Sequence, residues 1–185
     1  MILLYVQVFF YRHSYDEVSA ICHDYECLHY INRLSNITLF NVTIKNSMKI
    51  TLATHHHLSV LIELDSYAQQ NSSRIEEIKA WLSSQAIYLI EANAEVVGYG
   101  VIHSHFFGYP FIELVMIAHD QRGKGYGKAL ILFFQEQLTT EKLFTSTNQS
   151  NTKMKNLLLQ LGFIKSGCIE NLDEDDPEVI FCFIQ

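Results

Sequence analysis

The chain has 185 residues, 49% hydrophobic and 18% charged, which is the size and makeup of one domain with a real core. Its formal net charge of −7 argues against general nucleic-acid binding, which requires a basic face. An anionic ligand must therefore be held by a local concentration of donors. Cys22, Cys27, Cys168 and Cys182 form no CxxC pair and no zinc spacing, so a reduced compartment is expected and no metal. The opening "MILLYVQVFFY" is too short to span a bilayer and has no positive charge preceding it. The chain reads as soluble and cytoplasmic, without a membrane partner.

Residues 1–47 contain neither glycine nor proline and show no sustained period, whereas Met48 reads as a natural start. Residues 1–47 are expected to be an extension outside the domain, and residues 48–185 the domain itself. A short strand over residues 49–52 leads to Thr54 as helix N-cap, and Leu58, Leu61 and Ile62 form the inner stripe of the helix. A second helix is expected to start at a capping box of Ser73 and Glu76, with Ile75, Ile78 and Leu82 facing inward. Three apolar runs, residues 87–92, 95–106 and 111–118, are separated by turn signals and predict an antiparallel meander.

A helix carrying Tyr126, Leu130, Phe133, Phe134 and Leu138 follows, then a strand over residues 142–147. The helix after Ser150 has Met154, Leu157, Leu158 and Leu161 on one face and stops at Gly162, a suitable residue just past a helix end. Two strands near residues 163–169 and 178–184 close the chain. The fold class is α/β, with a mixed, mostly antiparallel sheet flanked by helices on both faces.

Between the third run and its helix lies "RGKGYGKAL", residues 122–130, with Gly123, Gly125 and Gly127 at alternate positions. Strand, glycines and helix in that order suit an anion at a helix N-terminus, where unpaired amides and the positive end of the helix dipole converge. Arg122, Lys124 and Lys128 add local charge. A plain turn is the alternative. The spacing is not that of a Walker A loop or of the dinucleotide fingerprint GxGxxG.

"RGKGYG" matches the R/Q-x-x-G-x-G/A signature of the GNAT superfamily of N-acetyltransferases, and "NTKMKNLLLQLGF" (residues 151–163) resembles that family's N-x-x-A-x-x-L-Y-x-K-x-G-F segment. Asn151, Leu157, Gly162 and Phe163 fall in register. The resemblance spans about residues 48–185 and implies acetyl-CoA as donor. It implies that the pyrophosphate rests on the amides of Arg122, Gly123, Lys124, Gly125, Tyr126, Gly127 and Lys128. It places the pantetheine along Met116, Ile117 and Ala118, and makes Asn151 either a helix cap or a cofactor contact.

The implied reaction moves an acetyl group from a thioester to a primary amine of a small molecule or peptide, by direct attack in a ternary complex. The oxyanion donor is expected to be a backbone N–H of Met116 or Ile117, where the resemblance leads one to expect a bulge. Glu113 is the candidate base, a lone carboxylate that would share a face with Phe111, Val115 and Ile117. A solvated, ion-paired Glu113 is the alternative. Leu158 stands where the family often has a tyrosine acid, which leaves a non-catalytic acyl-CoA-binding module as the competing reading. Tyr126 or water could replace that acid, although Tyr126 more naturally packs in its helix.

The consecutive His55, His56 and His57 cannot converge on one metal, and His103 and His105 share a strand face. The acidic run "ENLDEDDP" is either a soluble turn or a negative lip that steers a cationic acceptor. The acceptor's identity and the oligomeric state stay open, with a homodimer among the options.

Overall fold

A computed structural model describes residues 48–185; the expectation for residues 1–47 lies outside the described residues. Strands β1 (Met48–Leu52), β2 (Ile87–Ala92), β3 (Glu95–Phe106), β4 (Tyr109–Ile117), β5 (Lys142–Asn148), β6 (Ile164–Ile169) and β7 (Glu178–Ile184) form one sheet. Its order is β1-β2-β3-β4-β5-β7-β6, with β4–β5 parallel and every other pair antiparallel. The helices are α1 (Leu58–Leu64), α2 (Ser72–Ser83), α3 (Tyr126–Glu136) and α4 (Thr152–Gln160).

Helices cover both faces, as the alternating burial along the strands requires. On one face α1 and α2 bury Leu61, Ile78 and Leu82 against Ile87, Leu89, Tyr99 and Val101. On the other, Leu130, Ile131 and Phe134 of α3 and Leu158 of α4 pack on Ile90, Ile112, Leu143 and Phe181. The α3 layer sits close to β3 because Gly100 has no side chain: a Cβ there would lie 2.7 Å from the Phe134 ring. Predicted and observed elements agree closely, because alternation in the strands and the 3.6-residue period in the helices each read out one buried face.

Turn chemistry sets the connections. Asn93 and Ala94 between β2 and β3, and Phe107 and Gly108 between β3 and β4, all have positive φ, the two-residue hairpin geometry whose twist matches that of the strands. Gly162, at φ +84°, ends α4: its amide donates to Leu159 C=O at 3.2 Å, and the Phe163 amide to Leu158 C=O at 3.0 Å.

The start of α2 departs from expectation. Asn71 is the N-cap and Ser72 begins the helix, so Ser73 lies inside the first turn and the Ser73–Glu76 capping box does not form. Tertiary contacts fix this turn instead. The Arg74 guanidinium lies over Tyr67 (5.2 Å) and Trp81 (5.3 Å), pairs with Glu77 (2.9 Å), and brings Nε to 3.7 Å from the buried Asp65.

Candidate active site

Strands β4 and β5 pair only at Phe111↔Phe144 and Ile112↔Thr145. Beyond Ile112, β4 continues to Ile117 with β3 on one side and, among the described residues, no strand on the other. β5 likewise continues to Asn148, held by β7 as far as Asn148↔Glu178. Two firmly held strands therefore diverge, and the stretch from Glu113 to Ile117 borders the gap.

Which peptides face that gap follows from strand alternation. Ala118 N–H donates to Val97 C=O of β3 at 3.0 Å, so Met116, two residues back, also turns its amide toward β3. The peptides of Val115 and Ile117 point the other way. Ile117 C=O accepts from Arg122 Nε at 3.1 Å, on the side away from β3. Of the expected residues Met116, Ile117 and Ala118, Ile117 alone presents its amide to the gap; the amides of Met116 and Ala118 are taken up by β3.

At the mouth of the gap stands the N-terminus of α3. Gly123 (φ +78°) and Gly125 (φ +90°) are in the left-handed region, which β-carbon sterics deny most residues, and the space a Cβ would occupy is open at both. Gly127 differs: it is helical, and a methyl group there would meet Val115 Cγ1 at 3.7 Å and Ile117 Cγ1 at 3.8 Å, ordinary contact. That contact also shows that α3 starts directly over the β4 side of the gap. The first intrahelical bond runs from Ala129 N–H to Gly125 C=O, leaving the amides of Gly125, Tyr126, Gly127 and Lys128 without helical acceptors. Arg122, Lys124 and Lys128 are exposed around them, and Lys124 Nζ donates to Gln121 Oε1 at 2.8 Å. An open, cationic set of amides beside unpartnered strand fits an extended ligand ending in phosphate.

The bulge in β4 is not where it was expected. Pairing with β3 is unbroken from Ile117↔Gly98 to Leu114↔Val101, then jumps to Ile112↔Ile102, so Glu113 is the extra residue. The insertion shifts the alternation by one. Val115 and Ile117 pack on the α3 side, whereas Leu114 and Met116 pack on the α1–α2 side. Glu113 therefore does not share a face with Val115 and Ile117. Its carboxylate lies against His103 of β3, with His103 Nε2 to Glu113 Oε2 at 3.2 Å, and stays 44% exposed.

Asn151 caps α4: Oδ1 accepts from Met154 N–H at 3.1 Å, while Nδ2 donates to Thr147 Oγ1 of β5 at 3.0 Å. Leu158 is buried in the core, and Tyr126, partly buried, packs against that same core. The acidic connection between β6 and β7 is fastened to the end of β5. Asn148 Nδ2 donates to Asp173 at 2.6 Å, and Ser150 donates to Asp176 through its amide (2.9 Å) and hydroxyl (2.6 Å). These bonds hold the Asp176 carboxyl below the usual carboxylate range.

His103 lies closer to Glu113 than its sequence position suggested; the only signal was its spacing from His105, whose ring stacks on it at 5.0 Å. Val115 was passed over because its outward peptide becomes visible only once the bulge is located. Among the described residues no group of His, Cys, Asp and Glu assembles as a metal site, and no helix is long and apolar enough to cross a membrane.

Residues 56–163 match the profile of the acetyltransferase (GNAT) family. The chain belongs to that family. As a GNAT acetyltransferase it resembles a family member from Bacillus cereus, with 30% identity and a TM-score of 0.69 over 75% of this chain and 97% of that one. The fold recurs in a ribosomal-protein-alanine N-acetyltransferase from Brucella melitensis at 20% identity, TM-score 0.63, 74% of this chain and 99% of that one. It recurs also in a putative acetyltransferase from Salmonella typhimurium solved with acetyl-CoA, at 16% identity, TM-score 0.59, 75% and 94%. A comparison with curated protein sequences returns no match. Acetyl transfer from acetyl-CoA is thus the activity of this enzyme.

Proposed function

We propose that this acetyltransferase acetylates a primary amine of a small molecule or peptide, by direct attack of the amine within a ternary complex. The observation that carries the reading is the junction of unpartnered β4 peptides with the open amides at the start of α3. Acetyl-CoA supplies an activated thioester carbonyl and a thiolate leaving group. The amides of residues 123–128, with Arg122, Lys124 and Lys128, hold its pyrophosphate. The outward peptide of Val115 binds the pantetheine as a further strand would, and the Ile117 N–H serves as oxyanion donor, a role worth about 3–4 kcal/mol. Asn151 acts indirectly, by tying the start of α4 to Thr147 on the β5 wall.

Glu113 takes the ammonium proton, directly or through water, and the free amine attacks the carbonyl carbon. The C–N bond forms, the C–S bond breaks, the sulfur leaves with its electron pair, and the proton still on the acylated nitrogen passes through water to the departed thiolate. Because a thiol has a pKa of about 8.5, the thiolate leaves without the acid that Leu158 cannot provide. The β6–β7 connection, fixed beside the end of β5, favours a cationic acceptor. Rates that ignore salt with a polyamine or lysine-bearing acceptor would count against that steering.

The test is release of free thiol from acetyl-CoA across a panel of amines. Acceptor-dependent release is expected. Glu113→Gln should lower the rate about 10²- to 10⁴-fold, most severely below about pH 8, with acetyl-CoA affinity unchanged. Release at the hydrolytic background with every amine would overturn the reading.

A further inference from the structure

His103 is held from three sides. His105 N–H donates to its Nδ1 at 3.1 Å, and its ring stacks on the rings of His105 (5.0 Å) and Phe111 (5.7 Å). Its Nε2 lies 3.2 Å from Glu113 Oε2. An imidazole nitrogen that accepts a hydrogen bond carries no proton, so the amide of His105 selects the tautomer with hydrogen on Nε2. That hydrogen is aimed at the carboxylate. Glu113 sits on an inserted residue of β4, where the ladder to β3 does not fix it, so its side-chain direction depends on this contact.

We propose that His103 is the positioning residue for Glu113: a neutral imidazole, locked as the Nε2–H tautomer by the His105 amide, anchors one carboxylate oxygen and leaves Oε1 for the acceptor. The stacked rings hold the imidazole plane, so one oxygen is fixed in direction and not merely in distance. His103 itself exchanges no proton in the reaction. The proposal rests on Glu113 being the base. The anchoring and the tautomer can nevertheless be read without activity.

The experiment combines kinetics with imidazole ¹⁵N NMR on the full chain. His103→Leu should lower kcat about 10- to 100-fold, since misplacing a catalytic group by about an ångström can cost about 100-fold, with KM for acetyl-CoA unchanged. His103→Gln, whose amide can still donate to the carboxylate, should recover most of that loss. In a Glu113→Gln background, His103→Leu should cost nothing further. The ¹⁵N shifts of His103 should report hydrogen on Nε2, and His105→Ala, which keeps the backbone amide, should leave that tautomer in place. Full kcat in His103→Leu beside an impaired Glu113→Gln overturns the positioning role. Equal losses in the Leu and Gln variants, or an Nδ1–H tautomer, overturn it as well. Wild-type rates in Glu113→Gln would instead remove the base assignment, while the NMR still decides whether the lock exists.

Discussion

Arg122 Nε donates to the carbonyl of Ile117 at 3.1 Å, and this bond joins the glycine loop to the diverging edge of β4. Five residues apart in the chain, the two groups belong to different halves of the proposed cofactor site. The loop carries the amides for phosphate, and the strand carries the peptides for pantetheine. Because the guanidinium is both a charge beside the amides and a clamp on the strand, its removal should reach both.

Arg122→Ala is therefore expected to weaken acetyl-CoA binding about tenfold or more, in the range of a lost hydrogen bond to a charged group. Lys128→Ala, which removes charge alone, should cost less. Titration calorimetry with CoA compares the two, and equal losses would show that charge, not the clamp, sets affinity.

The three glycines should separate in their response to alanine. At Gly123 and Gly125 the left-handed backbone penalises a β-carbon by about 1–2 kcal/mol, so both variants should melt lower and bind CoA more weakly. At Gly127 the added methyl makes ordinary contacts, and alanine is favoured over glycine in a helix by about 1 kcal/mol. Thermal melts should find Gly127→Ala as stable as the parent or more so.

Asp65 is fully buried and accepts from Tyr99 OH (2.8 Å), from the amides of Tyr67 and Ala68, and faces Arg74. Asp65→Ala leaves these donors buried without a partner and should cost about 3–5 kcal/mol in denaturant unfolding. Tyr99→Phe removes one bond and leaves Asp65 its other partners; about 1–2 kcal/mol is expected.

Burial, then the hydrogen bond to Asp65, raises the Tyr99 hydroxyl far above its ordinary value near 10. A raised folded-state value means that this contribution to stability is complete below about pH 10, the unfolded value, and is lost as pH rises beyond it. In an alkaline titration followed by phenolate absorbance, Tyr99 should ionise only as the protein unfolds. Tyr99→Phe should remove that component of the transition.

Much of the fold was legible because it depends on local periodicity. Ile87, Leu89 and Val101, or Leu130 and Phe134, each lie on a stripe that one buried face imposes, and Gly162 marks a helix end by its own backbone preference. The start of α2 was not legible, since Arg74 is drawn to Asp65 and Trp81 by contacts that no short window contains. Neither was the bulge at Glu113. Nothing in "FIELVMIA" distinguishes a continuous strand from one with an inserted residue, because the register is a property of the pair β3–β4 and not of either strand.

What the sequence determined by itself is the donor's side of the proposed site: Gly123 and Gly125 tolerate left-handed backbone, and the basic residues beside them supply charge, wherever the chain places them. Tertiary structure alone decided the other side. The divergence of β4 from β5 exposes the peptides of Val115 and Ile117, and the bulge swings Glu113 away from them toward His103. Both depend on how strands far apart in the chain are paired, and pairing energy is shared across the sheet and not written in any one segment.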